Sequence, residues 1–177
     1  MKRLLLLRHA KAERDSDEGD HGRKLNARGR DDAARIGALL HVKGWAPDCV
    51  LSSAAARTVE TWKQLSAELP EAPEPEFLEG LYLASWKSML NVIRHHADDD
   101  AATLLVVGHN PGLEELALAL AHKPGNAEAR EALAAMRDKF PTCALAAFDC
   151  DIAHWRELAP GGCALAAFVR AKDLKED

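Results

Sequence analysis

No apolar run in this chain approaches the ~20 residues that a helix needs to cross a bilayer. The stretch Leu4–Leu7 is too short for the core of a secretory signal and stops at Arg8. A cytoplasmic location without a membrane partner is therefore expected. Cysteine is sparse, and Cys49, Cys143, Cys150 and Cys163 form no CxxC pair and no zinc-knuckle spacing. Cys150 and His154 are four apart but lack further ligands at metal spacing, so buried free thiols are expected rather than a metal site. Basic excess is also missing. The chain carries 23 Lys+Arg against 28 Asp+Glu, a net charge of -5. That balance offers nothing to replace counterions along a nucleic-acid backbone, although a small anion needs only two or three well-placed cations. No linker or low-complexity segment divides the chain. Its 177 residues, 47% hydrophobic and 29% charged, predict one globular domain over 1–177.

What is present alternates. Leu4–Leu7, Cys49–Leu51 and Thr103–Val107 read as buried strands. Between and after them run helical patterns: Ala33, Ile36 and Leu40 on a helix from about Arg28 to Val42, then Val59, Trp62, Leu65 and Leu69 before the loop Pro70–Pro75. Trp86, Met89, Ile93 and Ala97 mark a third helix, and Leu113, Leu116 and Leu120 a fourth. Such alternation predicts an α/β three-layer sandwich, a mainly parallel central sheet with helices on both faces. In the last third, Ala127–Arg137 reads as helix, and Cys143–Phe148 and Ile152–Glu157 as strands. The hexapeptide Cys-Ala-Leu-Ala-Ala-Phe, at 143–148 and again at 163–168, predicts two similar strands near one sheet edge.

The first three strands end in chemistry. They deliver Arg8-His9, then Ser52-Ser53 followed by Arg57, then Gly108-His109-Asn110-Pro111. If the strands are parallel neighbours, these segments meet at the carboxyl edge of the sheet, where open α/β folds bind ligands. Ser52 or Ser53 can cap the helix carrying Arg57, and Asn110 can cap the next with Pro111 at its first position. Helix N-termini and guanidinium forks both suit a phosphate-like anion. Each segment alone reads as an ordinary strand-to-helix turn; three in one chain point to a site.

Leu7-Arg8-His9-Ala10-Lys11 resembles the signature of the histidine phosphatase superfamily, which includes relatives of phosphoglycerate mutase. Ser52-Ser53-Ala54-Ala55-Ala56-Arg57-Thr58-Val59-Glu60-Thr61 and Gly108-His109-Asn110 resemble its second and third blocks, and Leu25-Asn26-Ala27-Arg28-Gly29 the start of its first helix. The resemblance runs in order over roughly residues 2–157 and implies a phosphoglycerate mutase-like fold. The compact spacing is most similar to the phosphohistidine phosphatase (SixA-like) branch. Ala10 stands where the superfamily usually has Gly.

The resemblance implies covalent phosphoryl transfer without metal or cofactor. A neutral His9 attacks phosphorus and forms a phosphohistidine that water hydrolyses. Arg8, Arg57 and His109 donate to the equatorial oxygens. Glu79 is the nearest counterpart of the general acid in larger members, and the acidic loop Glu13–Asp20 is the other carboxylate source near the pocket mouth. The expected substrate is phosphohistidine in a signalling protein. A small phosphoester such as a sugar phosphate is the alternative, and a non-catalytic phosphate-binding module a third reading. An alkoxide leaving group needs a placed acid, whereas imidazole, with a pKa near ~6.5, departs with less help.

Overall fold

Side chains along β1 (Lys2–Arg8) point alternately to the two faces of the sheet, and this alternation builds both halves of the core. Leu4 and Leu6 enter one apolar layer, Leu5 and Leu7 the other, and all four are fully buried. The computed structural model describes residues 1–174. β1 lies inside a six-stranded sheet with β2 (Cys49–Ser53), β3 (Glu76–Leu78), β4 (Thr103–Gly108), β5 (Ala144–Cys150) and β6 (Cys163–Arg170), ordered β3-β2-β4-β1-β5-β6. The first four strands of that order are parallel; β5 and β6 add antiparallel.

Helices α1 (Ala27–Lys43) and α2 (Ala56–Ser66) cover one face through Ala33, Ile36, Leu40, Trp62 and Leu65. Helices α3 (Trp86–His96), α4 (Gly112–Leu120) and α5 (Ala127–Asp138) cover the other through Met89, Ile93, Leu113, Leu116 and Met136. The three-layer sandwich expected from the alternation is present. Among the described residues no helix is long and apolar enough to cross a membrane.

Two expectations change and one strand is added. Ile152–Glu157 is not a strand: Glu157 Oε2 accepts from Ala153 N–H and His154 N–H, and these local bonds close a 3₁₀ turn at Trp155–Glu157. The short strand β3 follows the Pro-rich loop, where no period-2 pattern announced it. Cys150 and Cys163 are not free thiols but a disulfide. They sit directly opposite each other in the β5–β6 register, with Cα atoms 4.4 Å apart. The repeated hexapeptide makes that pair of strands, and β6 forms the sheet edge. Cys143 is free and buried, and Cys49 free and half-buried.

Candidate active site

The carboxyl ends of β1, β2 and β4 lie side by side, because β1 pairs with β4 and β4 with β2 in parallel register. Arg8 is the last residue of β1, and His9 follows it. His9 Nδ1 lies 2.8 Å from the carbonyl oxygen of Ala10. A carbonyl only accepts, so Nδ1 carries the proton of the neutral ring and Nε2 keeps a free lone pair. Ala10 is tied in turn: its N–H donates to Thr61 Oγ1, which donates to Arg57 O. The first and second sequence blocks are thereby locked together.

Arg57 lies in the first turn of α2 and is only 2% exposed. Its two terminal nitrogens are gripped by one residue: Nη1 donates to Asp20 O at 2.8 Å and Nη2 to Asp20 Oδ2 at 3.1 Å. Arg8 is held similarly, with Nη1 donating to Phe140 O at 3.0 Å. Neither serine caps α2, since Ala55 is its N-cap residue and no side chain bonds there. Ser53 Oγ instead accepts from Ala55 N–H and lies 2.8 Å from His109 Nε2. Asn110 stands one residue outside the N-cap of α4, yet its Oδ1 still accepts from Glu114 N–H.

His109, 1% exposed, follows β4, and its ring centroid is 5.3 Å from that of His9. Burial pushes His9 down to about 4, with the cations Arg57 and Arg8 adding to the effect and the Ala10 carbonyl opposing it. Burial likewise pushes His109 down to about 3, reinforced by His9 and Arg57. Both rings are neutral at pH 7. Three buried polar atoms in this group have no hydrogen-bond partner among the described residues: Arg8 Nε, Arg57 Nε and His109 Nδ1. Buried polar atoms without a partner are costly and rare in native proteins, and Arg8 Nη1 and both terminal nitrogens of Arg57 are already held. Such an arrangement can receive an anion beside His9.

Tyr82 and Asp20 complete the site, and sequence reading did not single out either. Tyr82, the only tyrosine in the chain, packs edge-on against His109 at 5.5 Å and His21 at 4.7 Å. The Arg57 guanidinium lies 5.8 Å from the Tyr82 ring centroid. The Tyr82 hydroxyl donates to Asp20 Oδ2, the carboxylate oxygen that also receives Arg57. These bonds, the one from Tyr82 foremost, hold Asp20 down at about 2. Within the loop Glu13–Asp20 nothing distinguished its last residue from the solvated acids before it. Glu79 is brought to the rim rather than to the centre. Its side chain is 70% exposed, with both carboxylate oxygens 3.1 Å from His21 Nε2, whose ring packs on Tyr82, which in turn packs on His109.

Comparison with known proteins agrees with this fold. A sequence profile described as histidine phosphatase superfamily, branch 1, matches residues 4–88. The chain is 36% identical over 125 residues to an uncharacterized chloroplastic protein of Arabidopsis thaliana, covering 66% of this chain and 57% of that longer one. It is 34% identical over 164 residues to an uncharacterized protein of Mycobacterium tuberculosis, covering 92% of this chain and 98% of the relative. Among solved structures it is similar to a candidate phosphohistidine phosphatase SixA from Nakamurella multipartitia, at 27% identity and TM-score 0.79, covering 96% and 95% of the two chains. A second candidate SixA, from Agrobacterium tumefaciens, gives 28% identity and TM-score 0.76 over 96% and 97%.

Proposed function

The chain belongs to the histidine phosphatase superfamily, and from that premise we propose that it is a metal-independent phosphatase acting through a covalent phosphohistidine on His9, with protein phosphohistidine as substrate. The observation that carries the reading is that Arg8 Nε, Arg57 Nε and His109 Nδ1 are buried and unpaired in the residues that surround a neutral His9. His9 Nε2 attacks phosphorus in line as the P–N bond to the substrate imidazole breaks. Water then attacks the phosphohistidine, releasing phosphate and restoring His9. Arg8, Arg57 and His109 donate to the equatorial oxygens, where transition-state charge sits, and take the part that a metal ion plays in other phosphoryl transfers.

Two features support phosphohistidine as the substrate. The similar structures from Nakamurella multipartitia and Agrobacterium tumefaciens are candidate phosphohistidine phosphatases. The carboxylates at the mouth are committed elsewhere, Asp20 to Arg57 and Tyr82 and Glu79 to His21. An alkoxide would need one of them as proton donor; a departing imidazole does not. A signalling protein bearing phosphohistidine, in the cytoplasm, is the partner in this reading.

The test compares kcat/KM on a phosphohistidine protein with that on alkyl and sugar phosphates, with and without chelator, and traps labelled phosphate on the enzyme. Preference for phosphohistidine, indifference to chelator, label on His9 and loss of turnover in His9→Ala are expected. Label on a serine or cysteine, or preference for a sugar phosphate, overturns the reading.

A further inference from the structure

We propose that Ser53 is a positioning residue that sets the tautomer of His109, donating its hydroxyl proton to Nε2 and so keeping the ring proton on Nδ1. This deepens the phosphatase reading and rests on it for its consequence in catalysis, though the tautomer itself can be measured without it.

The inference follows from counting donors and acceptors in a buried place. Ser53 and His109 are 0% and 1% exposed, so water cannot repair a missing bond. A serine hydroxyl has one proton to give and two lone pairs. Among the described residues Ser53 Oγ has two hydrogen-bond neighbours, Ala55 N at 3.3 Å and His109 Nε2 at 2.8 Å. An amide N–H only donates, so His109 Nε2 is the one acceptor for the hydroxyl proton. If Nε2–H donated to Ser53 instead, two groups would be stranded: the serine proton and a bare lone pair on Nδ1. With the serine donating, a single group is left, Nδ1–H, unpaired like Arg8 Nε and Arg57 Nε. The site then presents three donors to an incoming phosphoryl group. In the other tautomer a lone pair on Nδ1 would face phosphate oxygens. Ser53 thus serves the third sequence block as well as the turn into α2, where it accepts from Ala55 N–H.

Long-range proton–nitrogen NMR of protein labelled in histidine, with His109 assigned by its loss in His109→Asn, reads the tautomer directly. The wild type is expected to show Nδ1–H, and Ser53→Ala to move population to Nε2–H. In the same variant vanadate affinity and kcat/KM should fall together by about 10²-fold, the usual effect of one lost oxyanion donor. Ser53→Thr, which keeps the hydroxyl, should restore the tautomer and most of the affinity. A merely structural serine would leave the tautomer unmoved. Nδ1–H persisting in a folded Ser53→Ala, or Nε2–H in the wild type, overturns the proposal; the wild-type spectrum decides even if Ser53→Ala does not fold. A normal tautomer and vanadate response without turnover of any phosphoryl substrate would instead count against the phosphatase reading.

Discussion

Neutrality of two imidazoles among cations is the central residue-scale property of this site, and it has a cost that depends on pH. His9 has an ordinary value of 6.5 when unfolded and about 4 when folded. His109 falls from 6.5 to about 3. Between those values the unfolded chain binds protons that the native site refuses, so stability falls as pH drops from about 6.5 towards 4 and then 3. Asp20 acts in a lower window: its folded value of about 2 lies below the ordinary 3.8, so its contribution is complete above 3.8 and lost as pH falls through 2. Urea midpoints measured from pH 7 to 4.5 should therefore decline, and His109→Asn should flatten the decline. Equal slopes in wild type and variant would refute the burial argument. In the free enzyme kcat/KM should stay level down to about pH 5 and fall near pH 4 as His9 takes up a proton. Arg8, His9, Arg57 and His109 were legible as a group because each follows an apolar run. Tyr82 and Asp20 were not, since a lone tyrosine and the last acid of a loop carry no local signal of what they will touch.

At the scale of elements, the start of α1 shows what a short motif means physically. Asn26 caps the helix by accepting from Gly29 N–H at 2.9 Å, and a Cβ on Gly29 would lie 2.0 Å from Lys11 O. The pattern Leu25-Asn26-Ala27-Arg28-Gly29 thus joins a cap to a close approach of the loop after His9. Gly112 plays the same part for α4. A Cβ there would meet Ala84 O at 2.0 Å, a backbone atom that cannot turn aside. Ala84 lies two residues beyond Tyr82, so Gly112→Ala should push the Tyr82 loop away from His109. A loss of about 1–3 kcal/mol in stability is expected, the scale of overpacking, together with weaker vanadate binding. Thermal unfolding and vanadate titration of the same variant check both parts; full affinity would mean that Tyr82 is placed by something else. Helix positions were readable throughout because their apolar spacing is local. The 3₁₀ turn at Trp155–Glu157 escaped because two backbone bonds to Glu157 outweighed an apolar pattern too short to choose a period.

Taken whole, the molecule separates the groups that hold it together from those that bind. Leu40 is fully buried in the α1–α2 layer, towards the end of α1 remote from the Asn26 cap. Leu40→Ala should cost about 2–5 kcal/mol of stability while leaving kcat/KM per folded molecule unchanged, as denaturant titration with active-site counting would show. A fall in kcat/KM of the folded fraction would mean that the core tunes the site. The layer pattern, the strand-to-helix segments that carry Arg8, His9, Arg57 and His109, and the net charge of -5 were all readable along the chain, because periodicity, segment order and charge are properties of neighbours in sequence. It took the folded chain to bring Cys150 opposite Cys163, Ser53 to His109, and Asp20 and Tyr82 around Arg57. Those contacts depend on strand register and on loops crossing from one element to another. A shift of one residue in pairing exchanges every face of a strand, and nothing in a local stretch of sequence records which distant residue will stand opposite.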